Sequence, residues 1–168
     1  MNTELSSTAY HEAGHSVITY RLGFETRQVT IKPDDDSGTA GYSCGEDPWI
    51  DGSRDADFII NLFAGYTAEK RHNPGAEESR SSSDNERAAE RLQLHPELSE
   101  QDLWQKTGEL VVQYWPEIEA VAAALMRDTT LSGEEIEIIC DAIDEDEDWQ
   151  EVLSKYRERQ KLFLDDRV

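Results

Sequence analysis

The residues of this sequence best suited to chemistry are two histidines four residues apart, with a glutamate after the first. They form the segment His11-Glu12-Ala13-Gly14-His15, an HExxH pattern. In an α-helix the two histidines lie one turn apart on the same face, so both imidazoles can bind one ion at about 2.0–2.1 Å. Zinc lowers the pKa of a coordinated water towards about 7, and Glu12 can then accept its proton. The pattern predicts a zinc site with Glu12 as the catalytic base.

A catalytic zinc usually has three protein ligands and one open position, so one ligand remains to be found. The downstream candidates are Glu69, His72, Asp84 and His95. Residue type and spacing do not rank them. Asp84 also suits the first turn of a helix, because a carboxylate there interacts favourably with the helix dipole. Glu69 equally suits a solvent-facing position at the end of a helix.

The segment that carries the histidines must form a helix if they are to bind one ion. Residues 3–22 contain no proline and a glycine follows them, so they predict a helix with a defined end. His11 and His15 share a face of this helix with Ile18 and Leu22. Since two large apolar residues lie on that face, we expect it to be buried.

The rest of the chain predicts a small hairpin and further helices. Gln28 to Lys32 alternates polar and apolar residues, as a half-buried strand does, and turn-forming residues separate it from a second strand at 39–43. Helical patterns follow over 55–71, 84–94, 100–128 with an adjustment at Pro116, and 131–143, and a last helix places Trp149, Val152, Leu153 and Tyr156 on one face. The predicted fold class is α+β, mainly α-helical.

The length of 168 residues suits one domain. We expect residues 1–143 to form the domain that carries the histidines. Residues 144–168 start with an acidic run, typical of a solvated link, and end in a helix that we expect to dock on the same domain.

The charge of the chain limits its partners. It has 16 basic and 37 acidic residues, a net charge of −21, which would repel nucleic acid and an anionic membrane. The two cysteines form no CxxC pair, which argues against a disulfide framework and against thiolate ligation of zinc. With no signal-peptide pattern and no apolar run of about 20 residues, we expect a cytoplasmic protein without membrane insertion.

Four segments, taken in order, resemble the peptidase domain of the FtsH-type, membrane-anchored, ATP-dependent zinc proteases. The resemblance covers roughly residues 1–140, and a weaker fifth match begins at Leu131. The linked order is far more specific than HExxH alone. The four segments are Tyr10–His15, Val29–Pro33 followed by Gly41-Tyr42, Ala64–Glu69 and Ser83–Ala88.

This resemblance implies a helical, zincin-like peptidase domain with a small β-sheet beside the HExxH helix. It implies Zn²⁺ as the cofactor, His11, His15 and Asp84 as its ligands, and Glu12 as the catalytic base. It also implies that Glu69 belongs to a supporting helix and does not bind the metal.

The sequence also departs from that family. It contains no GxxxxGK[ST] phosphate-binding loop and no membrane-spanning segment. The long stretch that follows the third ligand in the family is reduced here to about Glu90–Gln101, so the resemblance does not extend to one wall of the substrate cleft or to ring assembly.

We therefore expect a metallopeptidase that hydrolyses peptide bonds in flexible or unfolded protein without ATP. One alternative is a catalytically silent, zinc-stabilised binding or regulatory module, and another is a peptidase subunit that needs a separate ATPase partner. Retention of Glu12 favours an enzyme, because a structural site needs no base and usually closes with a fourth ligand. A ligand such as His72 in the open position would favour the module.

The strand after the HExxH helix suggests how substrate is held. An extended peptide could pair with its backbone if it were an edge strand, with Val29, Thr30 and Ile31 forming the binding site. The alternative is that the hairpin only covers the core.

Overall fold

A computed structural model describes residues 3–26, 28–33, 40–44, 54–76 and 82–165. The fold is α+β and mainly α-helical, as the sequence predicts. The elements in chain order are α1 (Thr3–Arg21), β1 (Gln28–Pro33), β2 (Ala40–Cys44), α2 (Asp55–His72), α3 (Ser82–Leu94), α4 (Glu100–Gln113), α5 (Trp115–Asp128), β3 (Thr130–Ser132), α6 (Gly133–Asp144) and α7 (Trp149–Asp165).

Helix α1 packs between α2 and α5 at the centre of the fold. Ala13 and Val17 on its interior face are completely buried. The chain leaves the helix at Gly23, whose positive φ of 78° is accessible to glycine at little cost. The contact with α2 is close because Gly14 has no side chain. A Cβ at Gly14 would lie 2.7 Å from the carbonyl oxygen of Ala64, nearer than any carbon can pack. The two helices therefore approach closely enough for α2 to reach the histidines.

The small sheet has three antiparallel strands in the order β2-β1-β3. Residues 28–30 of β1 pair with β2 on one side and with β3 on the other. The third strand, Thr130–Ser132, is not predicted by the sequence pattern, since three residues are too few to show an alternation.

The prediction that β1 is an edge strand is therefore wrong. Val29 pairs with Ser43 of β2 and with Leu131 of β3, and the amide of Ile31 donates to the carbonyl of Thr129 at 2.9 Å. Thr30 contacts β3 through its side chain as well. Val29 and Ile31 are buried. These three residues cover the core, and a peptide cannot add to the strand where both neighbours are in place.

Two further junctions follow from local sequence. The long helical pattern of 100–128 divides into α4 and α5 at Tyr114, and Pro116 lies in the first turn of α5, where a missing amide costs no helical hydrogen bond. Helix α6 begins with a capping box in which Ser132 and Glu135 exchange hydrogen bonds with each other's backbone. Leu153 of α7 is fully buried in the common core.

None of the described helices is both long and apolar enough to cross a membrane.

Candidate metal centre

The two histidines of the HExxH pattern meet on the face of α1 that α2 covers. Their Nε2 atoms lie 3.1 Å apart, and both side chains are about one-eighth exposed. This arrangement follows from the four-residue spacing, which stacks the side chains one helical turn apart. Both imidazoles therefore point their outer nitrogens at a common space.

The inner nitrogens of the two rings are held by α2. Nδ1 of His15 lies 2.8 Å from the backbone carbonyl of Asn61, and Nδ1 of His11 lies 3.3 Å from Oε2 of Glu69. A carbonyl and a carboxylate only accept, so each Nδ1 carries the proton. In the neutral form of each ring, the lone pair is then on Nε2, and the two Nε2 atoms are the ones that converge. This is the tautomer that a metal-binding histidine needs.

Asp84 of α3 supplies the third converging atom. Its Oδ2 lies 3.5 Å from Nε2 of His11 and 3.4 Å from Nε2 of His15. Among the described residues, His11, His15 and Asp84 are the group of histidine, cysteine and acidic side chains whose ligand atoms lie close enough to hold a metal ion. The structure therefore brings together the three residues that the family resemblance implies.

The other three candidates lie elsewhere. Glu69 is fully buried and accepts a hydrogen bond from Nδ1 of His11, the ring nitrogen that faces away from the site. Nε2 of His72 shares a hydrogen bond with the hydroxyl of Ser6 at 2.6 Å, and the ring of His72 stacks on that of Tyr10. His95 lies 2.5 Å from a carboxylate oxygen of Asp55, at the other end of α2. In the described part of the chain no fourth protein ligand closes the site.

The spacing of the three ligand atoms fits zinc. Four ligands arranged tetrahedrally at about 2.0–2.1 Å from an ion are separated from one another by about 3.3–3.4 Å. The three separations here are 3.1, 3.4 and 3.5 Å. One carboxylate and two imidazoles also form a donor set typical of catalytic zinc. The residues present therefore fit a tetrahedral ion with three protein ligands.

The charges of the site also favour a cation. Burial lowers the pKa of His11, but hydrogen bonds to Asp84 and Glu69 outweigh it and raise the pKa to about 9. Burial opposes ionisation of Asp84, yet the two imidazoles hold the pKa of its carboxyl well below the usual range. Positive charge among the three ligand atoms is thus stabilised, and a metal ion would replace the proton on His11.

Glu12 stands beside the three ligand atoms without belonging to them. It is 6% exposed, and its burial raises the pKa of its carboxyl, while His15 and His11 oppose that rise. A buried carboxylate with a raised pKa is a stronger base than one in water. Glu12 therefore suits the role that the HExxH pattern predicts for it.

Gly65 is part of the site, although its residue type and spacing predict no role for it. A Cβ at this position of α2 would lie 2.3 Å from Nε2 of His15 and 2.8 Å from Nε2 of His11. The absent side chain leaves the room that the two imidazoles occupy. The one indication in the sequence is that a glycine lies inside a predicted helix. Glycine there lowers helix stability by about 1 kcal/mol relative to alanine, so its presence suggests that close packing requires it.

The ligand role of Asp84 can be separated from its role in the first turn of a helix. Asp84→Ala is expected to weaken zinc binding by well over tenfold, because one of three ligands is lost. Asp102→Ala is the matched control, since Asp102 also lies in the first turn of a helix but is exposed. Glu69→Gln should keep the zinc, because its amide oxygen can still accept from His11. Titration with a competing chelator measures all three, and full affinity in Asp84→Ala would contradict the ligand assignment.

No family model matches the chain, and no curated protein matches it.

Proposed function

We propose that this chain is a zinc-dependent metallopeptidase that hydrolyses peptide bonds in flexible or unfolded protein. The observation that carries the proposal is the convergence of Nε2 of His11, Nε2 of His15 and Oδ2 of Asp84 within 3.5 Å of one another, with the buried carboxyl of Glu12 close enough to interact electrostatically with all three residues. Three ligands leave a position for water or substrate, and a base beside that position is what hydrolysis requires.

When bound, zinc would supply a Lewis acid that polarises the scissile carbonyl and makes water more acidic. Glu12 takes a proton from the attacking water and returns it to the leaving amine. The ligands keep their geometry because Asn61 and Glu69 fix both rings from behind. Burial of Glu12 and of the inner face of α1 keeps bulk water from the base.

A peptide is expected to bind by pairing with a sheet edge other than β1. The outer edge of β2, Ala40–Cys44, has no strand beside it within the described residues, and β2 contacts α1, the helix that carries the histidines. Added strands are held mostly by backbone hydrogen bonds, so an extended, unfolded segment is required. This accounts for a preference for flexible protein over folded protein.

The second candidate is a silent zinc-stabilised module. The three ligands lie on α1 and α3, so an ion would cross-link these two helices, and α2 orients both imidazoles by hydrogen bonds, whether or not the ion catalyses anything. Zinc bound without hydrolysis would support this candidate.

The test combines metal analysis with hydrolysis in the absence of ATP. We expect one zinc per chain, and cleavage of reduced, carboxymethylated α-lactalbumin but not of the same protein with its disulfides intact. A chelator should abolish cleavage and added zinc should restore it. Stoichiometric zinc with no cleavage of the unfolded substrate would contradict the peptidase proposal.

A further inference from the structure

A pocket of about 380 Å³ lies between α2, α3 and α4 and is not used by the metal centre. Its apolar walls include Phe63 and Trp104, whose rings stack at 3.8 Å between centroids and within 9° of parallel. Ala88 and Leu92 of α3 line it on another side. No local sequence pattern indicates this pocket, because its residues come from three separate helices.

The pocket and the metal site share helix α3. Asn85, which lines it, directly follows the ligand Asp84, and Ala88 lies on the same face of α3 as Asp84, one turn further on. One turn of helix spans about 5.4 Å, and an extended peptide advances about 3.3 Å per residue. A substrate held at the metal and extended along α3 would bring a side chain one or two residues from the scissile bond to this pocket.

The charge of the residues that line the pocket indicates which kind of substrate side chain it would bind. Of the described residues that line the pocket, Glu100, at the start of α4, is the charged one, and none of them is lysine or arginine. Aromatic and aliphatic walls suit a long methylene stem, and the face of a tryptophan attracts a cation. The net charge of −21 would bring cationic peptides towards the surface.

We infer that this pocket binds a lysine or arginine side chain of the peptide substrate, with the stem along Trp104 and Leu92 and the cationic group near Glu100. The inference rests on the proposed peptidase function for its substrate, but the binding can be measured without hydrolysis. It makes the enzyme selective for chains that carry a basic residue close to the cleaved bond.

Equilibrium binding to the zinc-loaded Glu12→Gln variant measures the preference without cleavage. The probes are alanine–serine decapeptides with a single arginine, lysine, leucine or glutamate, and calorimetry gives each Kd. We expect the arginine and lysine peptides to bind at least fivefold more tightly than the leucine peptide and more tightly still than the glutamate peptide. Tightest binding of the leucine peptide would overturn the inference.

Reversal of the pocket charge separates a local contact from the general attraction of an acidic protein. Glu100→Lys should weaken binding of the arginine peptide by about fivefold and strengthen binding of the glutamate peptide, the size expected for an exposed charge pair. Glu109→Lys is the matched control, since it makes the same change of charge on the exposed side of the same helix. Equal effects of the two variants would overturn the inference. Glu100→Gln, a milder change, should reduce the preference without reversing it.

Hydrolysis of the same peptides by the wild-type chain keeps the two proposals apart. Cleavage that is equally fast for all four peptides, with equal affinities, would overturn the pocket and leave the peptidase. A binding preference that depends on Glu100, together with no cleavage of any peptide or unfolded protein, would overturn the peptidase and leave the pocket.

Discussion

Replacement of Glu12 by glutamine is expected to lower peptide hydrolysis by about 10²–10⁴-fold while the chain stays folded and keeps its zinc. The amide has nearly the same shape as the carboxyl but cannot take a proton from water. The ligand atoms on His11, His15 and Asp84 are untouched by the change. Activity against unfolded α-lactalbumin and zinc content, measured on the same preparation, test both halves of the expectation.

The stability of the variant is informative as well. Glu12 is buried, and its raised pKa shows that burial disfavours the charged form. A neutral amide avoids that cost, so the free energy of unfolding of Glu12→Gln should be equal to or greater than that of the wild type. Residues kept for activity often lower the free energy of unfolding, as the burial of a charged carboxyl does here.

The control is Glu4→Gln, which makes the same chemical change in the exposed first turn of the same helix. It should hydrolyse the substrate at the wild-type rate. Cleavage that survives in zinc-loaded Glu12→Gln would assign the activity to another group or another protein. Loss of zinc from Glu12→Gln would show that the carboxyl holds the metal, contrary to the site described.

The helices and the hairpin could be predicted because their signals are local. The HExxH helix, the hairpin strands and the helix after Leu131 depend on periodicity, turn residues and capping, which short segments reveal by themselves. Asp84 is different. Residue type and spacing do not distinguish Asp84 from Glu69 as the third metal ligand, and only the resemblance of the linked motifs favours Asp84. In the structure its carboxylate lies 3.4 Å from Nε2 of His15.

The features that could not be predicted depend on contacts between distant segments. The strand Thr130–Ser132 exists because Thr130 and Leu131 meet β1 about a hundred residues away, and this made β1 a central strand. The acceptor of His15 is a backbone carbonyl, that of Asn61, which every residue possesses. Neither the pairing nor the acceptor leaves a mark in residue type or spacing.

Gly65 offers the sharpest test of how α2 covers the histidines. Gly65→Ala would place a methyl carbon 2.3 Å from Nε2 of His15, about 1 Å inside van der Waals contact, and 2.8 Å from Nε2 of His11. The rings must then turn away from α2, because the backbone of α2 is fixed by its close contact with α1 at Gly14. Turning them breaks the bond from His15 to Asn61 and separates the ligand atoms.

We therefore expect Gly65→Ala to weaken zinc binding by at least 100-fold while the zinc-free chain still folds, since side chains can move where a backbone cannot. Gly108→Ala is the matched control: it lies inside α4, nothing stands within 4 Å of its added Cβ, and the higher helix propensity of alanine should raise stability by up to about 1 kcal/mol. Chelator competition gives the zinc affinities, and thermal unfolding with and without zinc gives the stabilities. Zinc should raise the Tm of the wild type and of Gly108→Ala, and leave that of Gly65→Ala unchanged at micromolar zinc. Wild-type zinc affinity in Gly65→Ala would mean that α2 does not lie against the imidazoles, and would contradict this arrangement of the metal centre.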